Sequence, residues 1–324
     1  MILKFTCYPL IHILQINRLV STSLSTHNPA KLVKLVEVGP RDGLQNEKST
    51  ISIDIKVDLI DRLSAAGLPC IEVSSFVRES RVPQLADAAA VFKRIKRVKG
   101  VQYLALVPNK SGLLKAIEAN ANGVAIFAAA SKAFSMKNIN CSIQESVERF
   151  DEVFQIAKSN HLPVRGYISC VVGCPYEGYV SPDTVAKLTE TLWSRGCYEI
   201  SLCDTIGVGT PESIDDLLSV ILNRVGACPK EALAIHCHDT HGNALSNIDL
   251  ALEKYGIRVI DSSISGLGGC PFAGPGAPGN VSTESVVSYF TKKGYKFTHN
   301  YNLNELIQIG KWIRGKIAES RVIT

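Results

Sequence analysis

Three hundred and twenty-four residues, 46% hydrophobic and 20% charged, suffice for one large domain or two ordinary ones, and a mean hydropathy of +0.12 excludes a disordered chain. No uninterrupted apolar run approaches the roughly 18–20 residues that a bilayer span needs, which excludes a polytopic membrane protein. A formal net charge of +5 carries no nucleic-acid signal, because the densest basic patch, Lys93-Arg94-Ile95-Lys96-Arg97, reads as the solvated face of a helix.

In chain order, residues 1–31 stand apart. They hold no Asp or Glu, carry Lys4, Arg18 and Lys31 among several Ser and Thr, and their apolar stretch Phe5–Ile16 is broken by Pro9 and His12. Acid-poor, Ser-rich and mildly basic composition predicts a mitochondrial targeting leader, with a secretory signal or an uncleaved extension as alternatives. The ten cysteines are scattered, several inside apolar runs, with no CxxC pair and no Cys/His zinc spacing. That usage predicts reduced thiols in a mitochondrial matrix or, alternatively, a cytoplasm.

From Leu32 onward short β-branched runs alternate with amphipathic helical stretches. Strands are predicted at Val33–Val38, Cys70–Ser74, Tyr103–Val107, Val124–Phe127, Val164–Val171, Tyr198–Leu202, Leu233–His238 and Arg258–Ser262. Helices are predicted at Ile53–Ala66, Pro83–Ile95, Lys110–Ala119, Ile143–Lys158, Pro182–Ser194, Pro211–Val225, Ala244–Lys254 and Thr283–Lys292. Ser142 with Glu145 reads as a capping box, and Ser181-Pro182 and Thr210-Pro211 put proline at the first helical position. Gly67, Gly123, Gly196 and Gly256 fall where a helix-ending glycine belongs. Eight such pairs in about 260 residues predict an α/β fold, a (β/α)₈ barrel over residues 32–299, with a C-terminal helical extension over 300–324. A doubly wound open sheet is the alternative, but the turn after the first strand, Gly39-Pro40-Arg41-Asp42-Gly43, lacks its Gly-rich phosphate signature.

Barrel active sites sit at the C-terminal ends of the strands, so polar residues there decide function. Strand seven ends His236-Cys237-His238, and the period-2 alternation of a strand aims both imidazoles the same way. Asp42, in its Gly-bracketed turn, supplies a third donor; two His and a carboxylate with open positions suit an octahedral divalent ion better than a closed structural zinc. Arg41 beside it is a fixed cation able to hold a carbonyl or carboxylate oxygen. Glu37, Glu72 and Asp204 lie in apolar strands, where a carboxylate is costly unless paired or liganded. Glu72 is placed to orient Arg41 from the neighbouring strand, Asp204 to point into the mouth, and Glu37 to be a buried structural partner. The Gly-rich run Gly266–Asn280 after strand eight lets backbone approach a substrate or move as a lid, and Cys270 within it is placed as a reactive thiol.

These residues resemble the 3-hydroxy-3-methylglutaryl-CoA lyase family. The resemblance runs from about Lys31 to about Lys311 and is sharpest in five stretches. They are Val36-Glu-Val-Gly-Pro-Arg-Asp-Gly-Leu-Gln-Asn-Glu-Lys48, Asn138-Ile-Asn-Cys-Ser142, Gly173-Cys-Pro-Tyr-Glu-Gly178, Ile200-Ser-Leu-Cys-Asp-Thr-Ile-Gly207 and Ala234-Ile-His-Cys-His-Asp-Thr240. The family's cysteine loop reads here Ser263-Ile-Ser-Gly-Leu-Gly-Gly-Cys-Pro-Phe272. The resemblance implies a carbon–carbon lyase that splits this CoA thioester into acetoacetate and acetyl-CoA. It implies a divalent metal, Mg²⁺ or Mn²⁺, on Asp42, His236, His238 and Asn280. It gives catalytic roles to Arg41, Cys270, Asp204, Glu72 and His236, with substrate contacts at Arg41, Lys48, Asn138 and Ser75. A homodimer is expected, with no nucleic-acid or membrane partner.

The chain departs from the family pattern at Ile264, Ser265 and Phe272, and its segment between Cys270 and Asn280 is longer by one residue than that pattern, with prolines at 275 and 278. Two alternatives use the same metal barrel. One is an aldol-type acyl-CoA synthase running in the condensing direction; the other is a lyase for longer 3-hydroxy-3-alkyl homologues.

Overall fold

The computed structural model describes residues 31–224, 228–269 and 278–323. Eight parallel strands pair in chain order: β1 (Leu32–Glu37), β2 (Cys70–Ser75), β3 (Gln102–Leu106), β4 (Gly123–Ala129), β5 (Val164–Ser169), β6 (Glu199–Asp204), β7 (Leu233–Cys237) and β8 (Val259–Ser262). β8 pairs back onto β1, with Lys34 opposite Val259 and Glu37 opposite Ser262, so the sheet closes, and a two-residue strand, Lys296–Phe297, lies outside it against the start of β1. This is a (β/α)₈ barrel.

The helices between strands are α1 (Ile53–Ala65), α2 (Ala88–Arg94), α3 (Lys110–Glu118), α4 (Lys132–Ile139), α5 (Ile143–Ser159), α6 (Pro182–Arg195), α7 (Pro211–Asn223) and α8 (Ala244–Glu253). α9 (Thr283–Lys292) follows β8, and α10 (Leu303–Ile323) forms the helical C-terminal region. α10 buries Leu306, Ile309, Ile313 and Ile317, a stripe at helical spacing that packs toward α1, where the Arg62 guanidinium sits 4.5 Å from the Trp312 ring. No helix among the described residues is long and apolar enough to cross a membrane.

Local chemistry explains most element ends. The Ser142 hydroxyl accepts from the Glu145 amide while Glu145 reaches back to the Ser142 amide, closing the capping box that starts α5. Gly67, Gly196 and Gly256 take left-handed φ values of 89°, 109° and 74° after their helices. Gly123 does not. It is the first residue of β4, and the left-handed position after α3 is taken by Asn120, whose side chain tolerates it.

The stretch Pro83–Ile95 also differs from expectation. It splits into a short 3₁₀ turn, Pro83–Leu85, and α2, because a polar residue within the turn and another just before α2 are engaged elsewhere. Gln84 bonds the backbone of Ile51 and Ser49, and Asp87 gives both oxygens to Lys56 instead of capping α2. α4, inserted between β4 and α5, and the hairpin Gly173–Cys174 with Gly178–Tyr179 are absent from the sequence reading.

The main core lies between strands and helices, where Leu233, Ile235 and Cys237 of β7 point. Inside the barrel the layers are smaller: Val36, Val38, Cys70, Leu104, Ala234 and Val259 form one, and Leu106, Ala125, Tyr167 and Cys203 another. Threaded among them is a buried ionic chain. Lys34 Nζ reaches Glu199 at 2.6 Å, Arg165 Nε donates to Glu199 at 2.7 Å, and the Arg165 fork closes on Asp261 at 2.7 and 3.0 Å. Charges without water must be paired in this way.

Candidate active site and metal centre

The chain leaves β1 through a single wide π-type turn, Gly39–Gly43, in which the amides of Arg41, Asp42 and Gly43 all point at the Val38 carbonyl. A Cβ on Gly43 would come within 2.8 Å of Leu267 Cβ, so glycine lets this turn lie against the segment after β8. Arg41 and Asp42 are thereby presented at the C-terminal mouth of the barrel.

Arg41, only 7% exposed, is clamped from two sides. Its Nε donates to Glu72 Oε2 at 2.7 Å, and its Nη1 donates to Asp42 Oδ1 at 2.6 Å. The guanidinium also lies 5.5 Å from the Tyr167 ring, whose hydroxyl donates to the same Glu72 oxygen at 3.2 Å. The Glu72–Arg41 pairing across neighbouring strands matches the sequence reading. Glu72 Oε1 is buried without a hydrogen-bond partner among the described residues.

Three candidate metal donors converge. Asp42 Oδ2 stands 4.0 Å from His236 Nε2 and 4.0 Å from His238 Nε2, and one donor atom from each residue lies within 4.8 Å of the others. Burial opposes the charge on Asp42, but Arg41, the two imidazoles and the Asn280 amide outweigh it and hold the carboxyl at about 2. Burial and the neighbouring His236 push the His238 imidazole down to about 4, so it is neutral and free to offer a lone pair at physiological pH. An anionic carboxylate and two imidazoles at one open mouth fit a divalent cation, and positive charge there would be met by Asp42.

Asn280 returns to this cluster from the far end of the Gly-rich loop. Its backbone forms an isolated antiparallel bridge with His238, and its Nδ2 donates to Asp42 Oδ2 at 2.8 Å and to the Leu267 carbonyl. Gly268, on the loop's other flank, places its Cα where a Cβ would meet the Asp42 carbonyl at 3.3 Å. Both flanks of the loop thus abut Asp42; Cys270 itself lies outside the described residues.

The other predicted residues are placed differently. Asp204, 1% exposed at the end of β6, gives one oxygen to the Val208 amide and the other to the Gly209 amide, closing its own loop. Burial raises its carboxyl, and those amides and His236 partly offset the rise. Ser75 is buried at the end of β2 with its hydroxyl accepting from the Val77 amide. Lys48 and Asn138 are exposed, the first after the Arg41 turn and the second on α4. Beside α4, a groove of about 450 Å³ is lined by Lys132, Met136, Ser142, Ile143 and Gln144. Glu37 is the buried structural partner expected of it, accepting from the amides of Gly39 and Ile264 and from the Thr283 hydroxyl.

Arg165, Glu199 and Asp261 are missing from the sequence reading. The signal was available, since each is a charge inside an apolar strand, the same rule that singled out Glu72. Asp261 Oδ2 lies 3.3 Å from His236 Nδ1, which joins the ionic chain to the metal donors.

A family model described as HMGL-like matches residues 32–313. The chain belongs to that family. The mitochondrial hydroxymethylglutaryl-CoA lyase of Bos taurus is 53% identical, covering 91% of this chain and 89% of its own length. The cytoplasmic 3-hydroxy-3-methylglutaryl-CoA lyase of Danio rerio is 52% identical over 87% of this chain and 82% of its own. Among solved structures, the HMG-CoA lyase of Brucella melitensis superposes with a TM-score of 0.85 at 47% identity, covering 88% of this chain and 98% of that one. The Acinetobacter baumannii HMG-CoA lyase, solved with coenzyme A and 3-methylmalate, gives 0.83 at 35% identity over 90% and 93%. HMGL-like membership and the Arg41–Asp42–His236–His238 cluster point to the same chemistry.

Proposed function

We propose that this protein is a hydroxymethylglutaryl-CoA lyase of the mitochondrial matrix, dependent on Mg²⁺ or Mn²⁺, that releases acetoacetate and acetyl-CoA. The observation that carries the reading is the junction of a fixed guanidinium, Arg41, with the Asp42–His236–His238 donors in one mouth. The matrix assignment is supported by the bovine relative's name and by the acid-free first 31 residues.

Asp42, His236 and His238 would hold the metal, joined by Asn280 through its amide oxygen once that amide turns over from its present bond to Asp42. The bound ion would supply a Lewis acid that makes a tertiary hydroxyl more acidic and neutralises a free carboxylate. The residues around it do the rest. Arg41, immobilised by Glu72 and by Tyr167, presents donors that need no rearrangement as negative charge grows on the thioester oxygen of the departing acetyl-CoA enolate. His236 is used as one of the donors, so the C3 hydroxyl proton would pass to the thiolate of Cys270. Cys270, in a loop whose two flanks both press on Asp42, would return a proton to the enolate carbon. Asp204 would assist that transfer while its oxygens hold the 204–209 loop beside His236. Lys48, Asn138 and Ser75 would bind the substrate, and the groove along α4 offers the CoA arm a surface beside Lys132.

The test is acetoacetate release from 3-hydroxy-3-methylglutaryl-CoA by metal-stripped protein, with and without added Mg²⁺ or Mn²⁺. Release that requires metal and collapses in Cys270→Ala supports the reading. Metal binding without acetoacetate would overturn it.

A further inference from the structure

His236 and His238 enter the candidate metal centre with unequal support. His238 Nδ1 is buried with no hydrogen-bond partner among the described residues. His236 Nδ1 faces Asp261 Oδ2 at 3.3 Å, and its ring stands edge-on to Tyr167 with centroids 6.3 Å apart. Asp261 is itself fixed. Oδ1 accepts from Arg165 Nη2 at 2.7 Å, and Oδ2 accepts from Arg165 Nη1 at 3.0 Å and from the Ser201 hydroxyl at 2.7 Å. Arg165 is anchored in turn by Glu199 and lies 4.8 Å from the Tyr167 ring. Asp261 is 1% exposed and His236 4%, so water does not compete for these bonds.

We infer that Asp261 is a positioning residue for the metal centre. Held rigid by Arg165 and Ser201, it accepts the Nδ1–H of His236 and so fixes both the ring's orientation and its tautomer. The Nε2 lone pair is then aimed at the site shared with Asp42. A carboxylate behind a ligating imidazole also makes that imidazole the better donor. Among the described residues His238 has no such support, so His236 is the pre-set donor of the pair and His238 the adjustable one. The inference rests on the metal centre proposed above.

The full-length protein, stripped of metal, is titrated with Mn²⁺ while the free aquo ion is followed by electron paramagnetic resonance. Asp261→Asn should weaken Mn²⁺ binding by about 10–100-fold, the usual effect of losing such an outer partner. In His236→Ala, adding Asp261→Asn should cost nothing more, because Asp261 acts through His236. A purely structural Asp261 would lower the melting temperature without that coupling. Should Asp261→Asn fold poorly, nitrogen-15 spectra of histidine-labelled wild type, taken above the imidazole titration range, answer directly. His236 should carry its proton on Nδ1. An Nε2-protonated His236, or wild-type affinity in Asp261→Asn, overturns the inference. Failure of wild type to bind Mn²⁺ at all would instead remove the metal centre, and this inference with it.

Discussion

Glu37 offers a stability prediction with a definite sign. Its carboxyl lies fully buried beneath the Arg41 turn, and burial raises it from 4.5 to about 7 despite the bonds from Thr283, Ile264 and Gly39. The folded protein therefore binds a proton that the unfolded chain has already lost between those values. Stability from the neutral form is complete below pH 4.5 and is lost as pH rises through about 7. At about 1.4 kcal/mol per pH unit, that interval corresponds to about 3 kcal/mol. Glu37→Gln reproduces the neutral acid. Its oxygen keeps the amides of Gly39 and Ile264, and its NH₂ donates to Thr283, whose hydroxyl turns to Ser262 Oγ at 2.8 Å. Urea denaturation of both proteins from about pH 5 to about pH 8 should show the wild type losing most of those 3 kcal/mol relative to Glu37→Gln. A difference that stays constant with pH would refute the reasoning, because the three donors would then suffice to keep Glu37 ionised.

Two further substitutions separate catalysis from stability. Arg41→Gln should lower kcat for acetoacetate formation by about 10²–10³, the cost of one preorganised oxyanion donor, with Mn²⁺ affinity within a few-fold of wild type. Arg165→Met should destabilise the fold by about 3–5 kcal/mol, seen as a lower urea midpoint, because Asp261 is left buried without its cation while Glu199 keeps only Lys34.

Much of the site was legible because its chemistry is written locally. Arg41 and Asp42 are adjacent, His236 and His238 share one face of a strand by alternation, and a carboxylate in an apolar strand, Glu72, demands a partner. The eight strands were found because each short β-branched run is followed by a helix with its own start and stop signals, such as the Ser142–Glu145 box. What local reading misplaced had been claimed by distant atoms. Gln84 and Asp87 are drawn to Ile51 and Lys56, which breaks the predicted helix in two.

The sequence by itself determined the barrel, the identity of the polar residues at its mouth and the pairing of Arg41 with Glu72, since periodicity and the cost of a lone buried charge act within or between neighbouring strands. Only the tertiary structure decided which charges meet across the barrel. Arg165 is separated from Asp261 by 96 residues and from Glu199 by 34. Nothing in either stretch names its partner. The pairing of β8 with β7 sets Asp261 opposite His236, Arg165 reaches it from β5 through the barrel interior, and the low dielectric there makes that pairing obligatory.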